Sequence, residues 1–562
     1  MLQAYGVKLR RSPWVSFFHR RAAVFAYVGS CGDILEMSAD VRDFIVAFGD
    51  GASVDEAAER ANVDPNAAAG WAETLRGHAV LLGVGVDPRS GLDGMVPRIA
   101  PWCCWARIGR GVTVVQGRSL RDPPRLCALD PWESRLFLAI DAERDVRALA
   151  AALDDRAPGQ APKPGTLTRV LETLLTWTSP DLQWTRLSPL PARYDAIARP
   201  PAYLSSTMPY PALADDAVPI DPFADGDGVD NRAYHRRDID DAERQFEDVE
   251  TTLAHLFRDP HPALGGRRYG EALLDGLRTI GCFPEADGRL EIVEIGGGTG
   301  RLAEAILDAL GDRAVRYRIV ELSPALRRAQ TERLQRFGNR AKVLRGDAES
   351  LPTSIRDVDL LIANEMIGDL RAAWLDHDTG RAHELVQRYE VDLSEAPDQF
   401  WLNEGAMRLV AQLSERLRPG GCYWLSEFGH RSAWPVESTQ LDHAEVSIHF
   451  GALARVASKT GLTAEIRDVA DVIELDERPM ALSTTATFFR NLRALAASRG
   501  VLLDKRAWTR DALEQTLGNA LPAERIGNLR FAPIGERVMG LRPREFLALV
   551  GRRPAEDAGG EA

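Results

Sequence analysis

The hydrophobic rhythm of the chain changes most sharply between residues 290 and 310. Leu290, Ile292, Val293 and Ile295 form an apolar run of strand length, broken only by Glu291 and Glu294. After the turn Gly296-Gly297-Gly298-Thr299-Gly300 the spacing switches, and Leu302, Ala305, Ile306, Ala309 and Leu310 recur as one buried helix face would. Further apolar runs at 315–320, 341–345, 358–363 and 422–426 read as strands, and their alternation with helices predicts an α/β domain. Polar residues follow these runs: Glu321, then Gly346-Asp347-Ala348, then Asn364-Glu365. Open α/β sheets bind ligands at these carboxyl ends of the strands.

The N-terminal third has a different pattern. Residues 23–36 read as two short strands about a Gly-Ser-Cys-Gly-Asp turn, and three helical patterns follow. Ser38 is placed to cap the first, which carries Val41, Phe44, Ile45 and Phe48 on one face. Ser53 and Glu56 have capping-box spacing for the second, and Asp64-Pro65 opens the third. Residues 126–140 repeat the rhythm of 34–47, with helical patterns at 146–153 and 167–177 and a closing strand at 182–184. A second, degenerate copy of one small winged-helix-like module is therefore predicted. Residues 197–232 are rich in Pro, Asp, Ala and Gly and lack periodicity, as a linker or a packed arm would, and a helical pattern resumes over 238–257. The expected domains are 1–95, 96–195, a linker or arm at 196–234, and 235–562.

Composition narrows the picture only a little. A chain of 562 residues exceeds one core, and 45% hydrophobic with 27% charged residues is ordinary for a globular protein. The net charge of −13 argues against a protein built to hold nucleic acid and suits a basic substrate. The cysteines at 31, 103, 104, 127, 282 and 422 have no zinc-like spacing, so no metal site is expected, and reduced thiols in a cytoplasmic protein are. No apolar run reaches bilayer length, and neither a membrane anchor nor a signal peptide is expected.

The glycine turn removes the Cβ atoms that would keep a ligand off the backbone, and the following helix offers free N–H groups. Dinucleotides and S-adenosylmethionine (SAM) both use such a loop. The ordered set of Glu294-x-Gly296-x-Gly298-x-Gly300, Glu321, Gly346-Asp347-Ala348 and a polar fourth strand end resembles class I SAM-dependent methyltransferases of Rossmann-like fold. The resemblance implies that Glu294, Gly296, Gly298 and Gly300 hold the methionine end of SAM. It also places Glu321 with Leu322 at the ribose, Asp347 and Ala348 at the adenine, and Asn364 at the fourth strand end.

Three further stretches, 320–327, 363–365 and 445–453, resemble the MidA-like family, which includes the mitochondrial complex I assembly-factor methyltransferase that modifies arginine nitrogens. Glu365 and Asp369 lie just past the fourth strand end, where carboxylates can hold a guanidinium in a planar fork. Glu365 is therefore read as a guanidinium clamp and Asp369 as a second clamp or proton acceptor, and the resemblance implies His449 as a group that removes a proton or orients substrate. The family carries an aromatic pair and an aspartate after Asn-Glu, whereas here Met366-Ile367-Gly368-Asp369 puts the aspartate one place later. Residues 33–38 and 48–58 resemble the PqqD-like domain that holds leader peptides of ribosomally made natural products (RiPPs). That resemblance implies a precursor peptide as partner, added as a strand beside 24–28 and the helix near 68–75. The expected activity is thus peptide methylation, most readily of an arginine side chain. Methylation of a protein or a carboxylate, or a SAM-binding assembly role with little catalysis, are the alternatives, and a homodimer is left open.

Overall fold

The computed structural model describes residues 8–188 except 21–22, 29–32, 88, 90, 101–102, 118–123, 179–181 and 183, then 228–237, 244, and 251–555 except 285–287 and 439–442. The turn at 29–32, the linker up to residue 227 and most of the helical pattern at 238–250 lie outside the described residues. The chain divides into two compact units. One comprises Met1–Ala224, Arg490–Leu502 and Leu517–Leu529, and the other Asp225–Phe489, Leu503–Thr516 and Arg530–Ala562.

The first unit contains one element order twice. Strands β1 (Leu9–Arg11), β2 (Val15–Arg20), β3 (Ala23–Val28) and β4 (Asp33–Met37) precede helices α1 (Ala39–Ala47), α2 (Val54–Ala61) and α3 (Pro65–Gly77), and β5 (Leu81–Gly83) closes the set. The second set is β6 (Val96–Ile99), β7 (Cys104–Ile108), β8 (Gly111–Gln116), β9 (Arg125–Ala128), α4 (Pro131–Ala139), α5 (Val146–Leu153), α6 (Pro164–Thr178) and β10 (Thr185–Ser188). In each, three strands form an antiparallel meander and the outer strands, β1 with β5 or β6 with β10, pair separately. The helix starts follow from their caps: Ser38 accepts from the Val41 N–H, and Ser53 with Glu56 closes a capping box. Asp130 and Glu133 close a second box at α4. Phe44, Ile45 and Phe48 fill the first core, and Phe137, Leu174 and Trp177 the second.

The sheet edges matter for any peptide partner. β3 pairs with β2 on one side and β4 on the other, so the stretch 24–28 is a central strand and cannot accept an added peptide. Its hydrogen bonds are already spent, which corrects the expected docking position; an added strand could pair only with β2 or β4. In the second set the strand corresponding to β2 is β7, and its outer edge is taken by Ile526–Gly527, which runs antiparallel to it. Only glycine fits at 527, because a Cβ there would lie 1.8 Å from the Trp105 ring. Asn528 secures the segment by donating to the carbonyls of Ala100 and Cys103 at 2.7 and 2.9 Å.

The second unit has the Rossmann-like architecture expected from the alternating pattern. Its strands include β11 (Gly228–Val229), β12 (Leu290–Ile295), β13 (Val315–Glu321), β14 (Ala341–Arg345), β15 (Val358–Asn364), β16 (Ala372–Asp376), β17 (Gln399–Leu402) and β18 (Leu417–His430). The main sheet runs β14-β13-β12-β15-β18, all parallel, and continues through Phe546–Arg552, which is antiparallel to β18, to Glu465–Asp468 at its edge. The order reverses at β12, whose neighbours are β13 and β15, and this opens a crevice at the carboxyl ends of those strands. β11, β16 and β17 form a small separate sheet.

One detail departs from the sequence pattern. In the helix Arg301–Ala309, Ala303 and Leu307 are buried, while Ala309 is exposed. The helix Tyr269–Thr279 packs on this helix so closely that a Cβ on Gly270 would lie 2.8 Å from the Ala305 Cβ. Burial on this helix therefore extends beyond the single face that periodicity suggested, while Leu302, Ala305, Ile306 and Leu310 are buried as expected.

Candidate functional site

The crevice is a pocket lined by the glycine turn, the ends of β13, β14 and β15, and two segments ahead of the sheet, Arg232 with His235 and Thr252 with Ala254 and His255. Of the residues expected to hold a cofactor, Glu294, Gly296, Gly298, Glu321, Leu322, Asp347, Ala348 and Asn364 all line it. Gly300 does not. It begins the helix Arg301–Ala309 at φ +82°, where a left-handed residue is needed to aim the helix N-terminus toward the turn. Gly296 at φ +64° and Gly298 at φ +50° are also left-handed, which makes the turn tight enough to bring backbone to the pocket wall.

Glu321 sits at the end of β13 and is 5% exposed. One carboxylate oxygen accepts from the Ser323 N–H at 2.9 Å and the other from Gln330 Nε2 at 3.0 Å. Gln330 also donates to the Gly298 carbonyl at 2.8 Å, so one buried amide ties the glycine turn to the acid at the second strand end. Burial raises the Glu321 carboxyl, while the hydrogen bonds from Ser323 and Gln330 and the His235 imidazole oppose the rise. At the end of β14, Asp347 accepts from the Glu349 N–H at 3.0 Å and keeps its other oxygen 3.8 Å from Arg236. Glu294, within β12, accepts from the Tyr317 hydroxyl at 2.8 Å. Burial pushes its carboxyl up to about 7, aided by repulsion from Glu321 and opposed by the Tyr317 hydroxyl.

The fourth strand end is built around Asn364. Its Oδ1 accepts from Tyr269, Ser426 and the Trp424 indole, and its Nδ2 donates to Glu365 at 3.0 Å. Asn364 therefore acts chiefly by orienting its neighbour. Glu365, at φ +52°, also receives the N–H groups of Leu253 and Ala254 at 2.6 and 3.0 Å, so it brackets a short helix onto the pocket rim. Burial raises its carboxyl to about 7 against these hydrogen bonds. Glu427, 2% exposed, lies behind Gly368 and accepts from its N–H. Burial and then the Glu365 charge hold its carboxyl well above the usual value.

Asp369 lines the pocket and faces two histidines, with His443 Nε2 at 2.7 Å and His235 Nε2 at 3.6 Å. Burial pushes its carboxyl up, and the two imidazoles more than offset this, leaving it below its ordinary value. His449 is elsewhere. It caps the helix Phe450–Lys459, its Nδ1 accepting from the Ala452 N–H at 3.0 Å, it stacks edge-on against Trp434, and it does not line the pocket. The structure therefore gives it no route to a bound acceptor. Burial lowers its pKa, which suits a neutral cap. The residues that sequence reasoning missed are Gln330, His235, His443 and the 252–255 segment. None belongs to a spacing motif. The one available signal was a glutamine on the inner face of the helix after β13, four residues beyond Leu326.

Residues 270–427 match the family described as "Putative S-adenosyl-L-methionine-dependent methyltransferase". The second unit carries a SAM-dependent methyltransferase domain. No curated protein matches the chain. Among solved structures it is similar to the cyclase SpnF at 16% identity, over 51% of this chain and 81% of that one, with a TM-score of 0.28. It is similar to a TehB-like SAM-dependent methyltransferase from Corynebacterium glutamicum at 18% identity, over 38% and 83%, with a TM-score of 0.22. A third likeness is to the glycopeptide N-methyltransferase MtfA complexed with SAM, at 12% identity over 50% and 94%, with a TM-score of 0.24. TM-scores this low carry no argument; the strand order and the family match do. Among the described residues no helix is long and apolar enough to cross a membrane.

The pocket suits SAM: a glycine turn without Cβ atoms lies at one end, a buried acid able to accept two hydroxyls stands at the second strand end, and further carboxyl groups line the wall, as a cationic ligand needs. A consequence for pH follows from Glu294. Because its carboxyl in the fold lies near 7 and above its ordinary 4.5, the folded chain holds more protons than the unfolded one between those values. This group's contribution to stability therefore falls as pH rises through that window. SAM is positively charged at its sulfonium and ammonium groups and should favour the ionised carboxylate. Its affinity is expected to increase severalfold from about pH 6 to about pH 8, with proton release on binding near pH 7. Calorimetry in buffers of different ionisation enthalpy measures this. Glu294→Gln should flatten the dependence, and an unchanged slope in that variant would assign it to another group.

Proposed function

We propose that this chain methylates an arginine side chain of a ribosomally made precursor peptide, with SAM as methyl donor and the N-terminal modules holding the peptide's leader. The observation that carries the acceptor assignment is a pair of buried carboxyls without a cationic partner at the fourth strand end. Glu365 lines the pocket, Glu427 lies behind it, and among the described residues neither pairs with a lysine or arginine. The Glu365 charge raises the cost of ionising Glu427, and a guanidinium entering beside Glu365 would relieve it.

When bound, SAM supplies an electrophilic methyl group. The protein's own part is to orient one guanidinium nitrogen, exclude water, and accept the proton that nitrogen loses. Glu365 is placed for the first and last of these. Its hydrogen bonds to Asn364, Leu253 and Ala254 fix its plane, and a carboxyl near 7 is matched to proton transfer at neutral pH. The 252–255 segment covers the rim and limits water. Asp369 is engaged with histidines, so the clamp falls to Glu365 rather than to the pair.

The leader reading is supported by the paired architecture of the first unit. The second set's meander edge is covered by the chain's own strand Ile526–Gly527. The corresponding edge, β2, carries no further strand among the described residues, as an edge that receives an extended peptide would.

Intact and fragment mass spectrometry of a co-encoded peptide incubated with enzyme and SAM tests the proposal. One or two methyl groups on arginine, lost when the leader is removed, are expected. Modification at another residue would overturn the acceptor assignment, and leader-independent methylation the docking assignment. Glu365→Gln is expected to retain SAM binding while lowering turnover about 100-fold, the scale of losing one preorganised electrostatic group. An assembly protein with little catalysis would show no turnover to lose.

A further inference from the structure

Three residues far apart in the chain converge at the rim of the SAM pocket. His235 lies on the short helix α7 (Arg232–Arg236), Asp369 ends a single 3-10 turn after β15, and His443 precedes the strand Glu445–Val446. One ligating atom from each, two imidazole nitrogens and a carboxylate oxygen, all lie within 4.8 Å of one another. Asp369 Oδ1 is 2.7 Å from His443 Nε2, and its other oxygen is 3.6 Å from His235 Nε2, beyond hydrogen-bond reach. His235 Nε2 is a buried nitrogen with no hydrogen-bond partner, turned toward the other two ligand atoms. The ring of His443 is held by Tyr234, stacked at 4.2 Å between centroids, and its side chain is 3% exposed.

We propose that His235, Asp369 and His443 bind a first-row divalent transition-metal ion, zinc foremost. Two imidazoles and one carboxylate are a donor set such ions select, and a carboxylate already set between two imidazoles needs only small side-chain shifts to share a cation with them. The alternative, a plain His–Asp hydrogen bond, accounts for His443 but leaves the His235 nitrogen buried without a partner. Three protein ligands leave at least one position open, and His235 and Asp369 both line the pocket, so that position faces the acceptor end. The ion would also fasten α7, which contributes Arg232 and His235 to the rim, to the turn after β15. The site stands apart from the acceptor proposed above, since it needs neither arginine nor a peptide.

Full-length protein stripped with a chelator and dialysed against zinc should retain one ion per chain. Cobalt in its place should give the visible absorption bands of a low-symmetry site with nitrogen ligands. His235→Gln and His443→Gln are each expected to weaken zinc binding by more than about tenfold. The melting profile and far-ultraviolet circular dichroism of the stripped variants report whether the fold survives. His235→Gln changes a partly exposed side chain and is the safer variant if His443→Gln fails to fold. Substoichiometric retention by the wild type, or binding unaffected by His235→Gln in a folded variant, would overturn the proposal. Either result leaves SAM binding and peptide methylation untouched, so the two readings fail independently.

Discussion

Glu321→Ala is expected to weaken SAM binding on the order of a thousand-fold while leaving the fold intact. Glu321 is the acid at the second strand end of the pocket, buried and already aligned by Ser323 and Gln330. Two ribose hydroxyls donating to one carboxylate form charge-assisted hydrogen bonds worth about 1.5–3 kcal/mol each, and alanine removes both. The free protein loses little, since burying this carboxylate is itself costly: burial raises its carboxyl. Isothermal titration of SAM measures the loss and a thermal melt checks the fold. Glu321→Gln should fall between wild type and alanine, because it keeps one acceptor. An alanine variant that binds SAM within about tenfold of wild type would remove Glu321 from the ribose assignment.

A large effect on stability is expected at Gly276, on the helix Tyr269–Thr279. A Cβ at this position would lie 2.1 Å from the backbone oxygen of Val472 and 2.7 Å from its Cγ1. Backbone in a helix turn cannot withdraw as a flexible side chain can, so Gly276→Ala forces the two segments apart. Overpacking of a close helix contact costs about 1–3 kcal/mol and here should reach or exceed the upper end. Gly276 has no left-handed backbone, so the alanine itself would otherwise favour the helix by up to about 1 kcal/mol. A measured destabilisation is therefore attributable to the contact. Denaturant unfolding of Gly276→Ala beside Gly288→Ala, where a Cβ meets nothing within 4 Å, isolates it. Equal stability of the two variants would mean that the segment around Val472 yields easily.

What could be read in the chain, and what could not, divides along the range of the interactions. The glycine turn and the polar strand ends declare themselves because they are local: a change of period, a positive φ and an acid at the end of a strand are each written within a few residues. The helix starts at Ser38, Ser53 and Asp64-Pro65 are legible for the same reason, each cap lying within one helical turn of the backbone N–H it accepts from. The exposure of Ala309 and the burial of Ala303 and Leu307 depend on what packs around the helix, and no period within the helix reveals that. The antiparallel strand Phe546–Arg552 sits between β18 and the earlier strand Glu465–Asp468, an order set by long-range pairing. His449 drew notice through a family motif, yet its ring closes a helix end; His443 and His235, without any motif, reach Asp369. The docking strand was placed on 24–28 because its apolar residues suggest a sheet, but they do not tell a central strand from an edge.

The covering of β7 by Ile526–Gly527 also bears on how the protein is made. The first unit draws on Arg490–Leu502 and Leu517–Leu529, so it cannot be finished when its own first residues leave the ribosome. Until the last part of the chain is synthesised, β7 presents an open edge that can pair with another nascent copy. Cells would therefore meet a long interval in which this unit needs shielding. A fragment cut at the end of the N-terminal stretch would keep that edge permanently open.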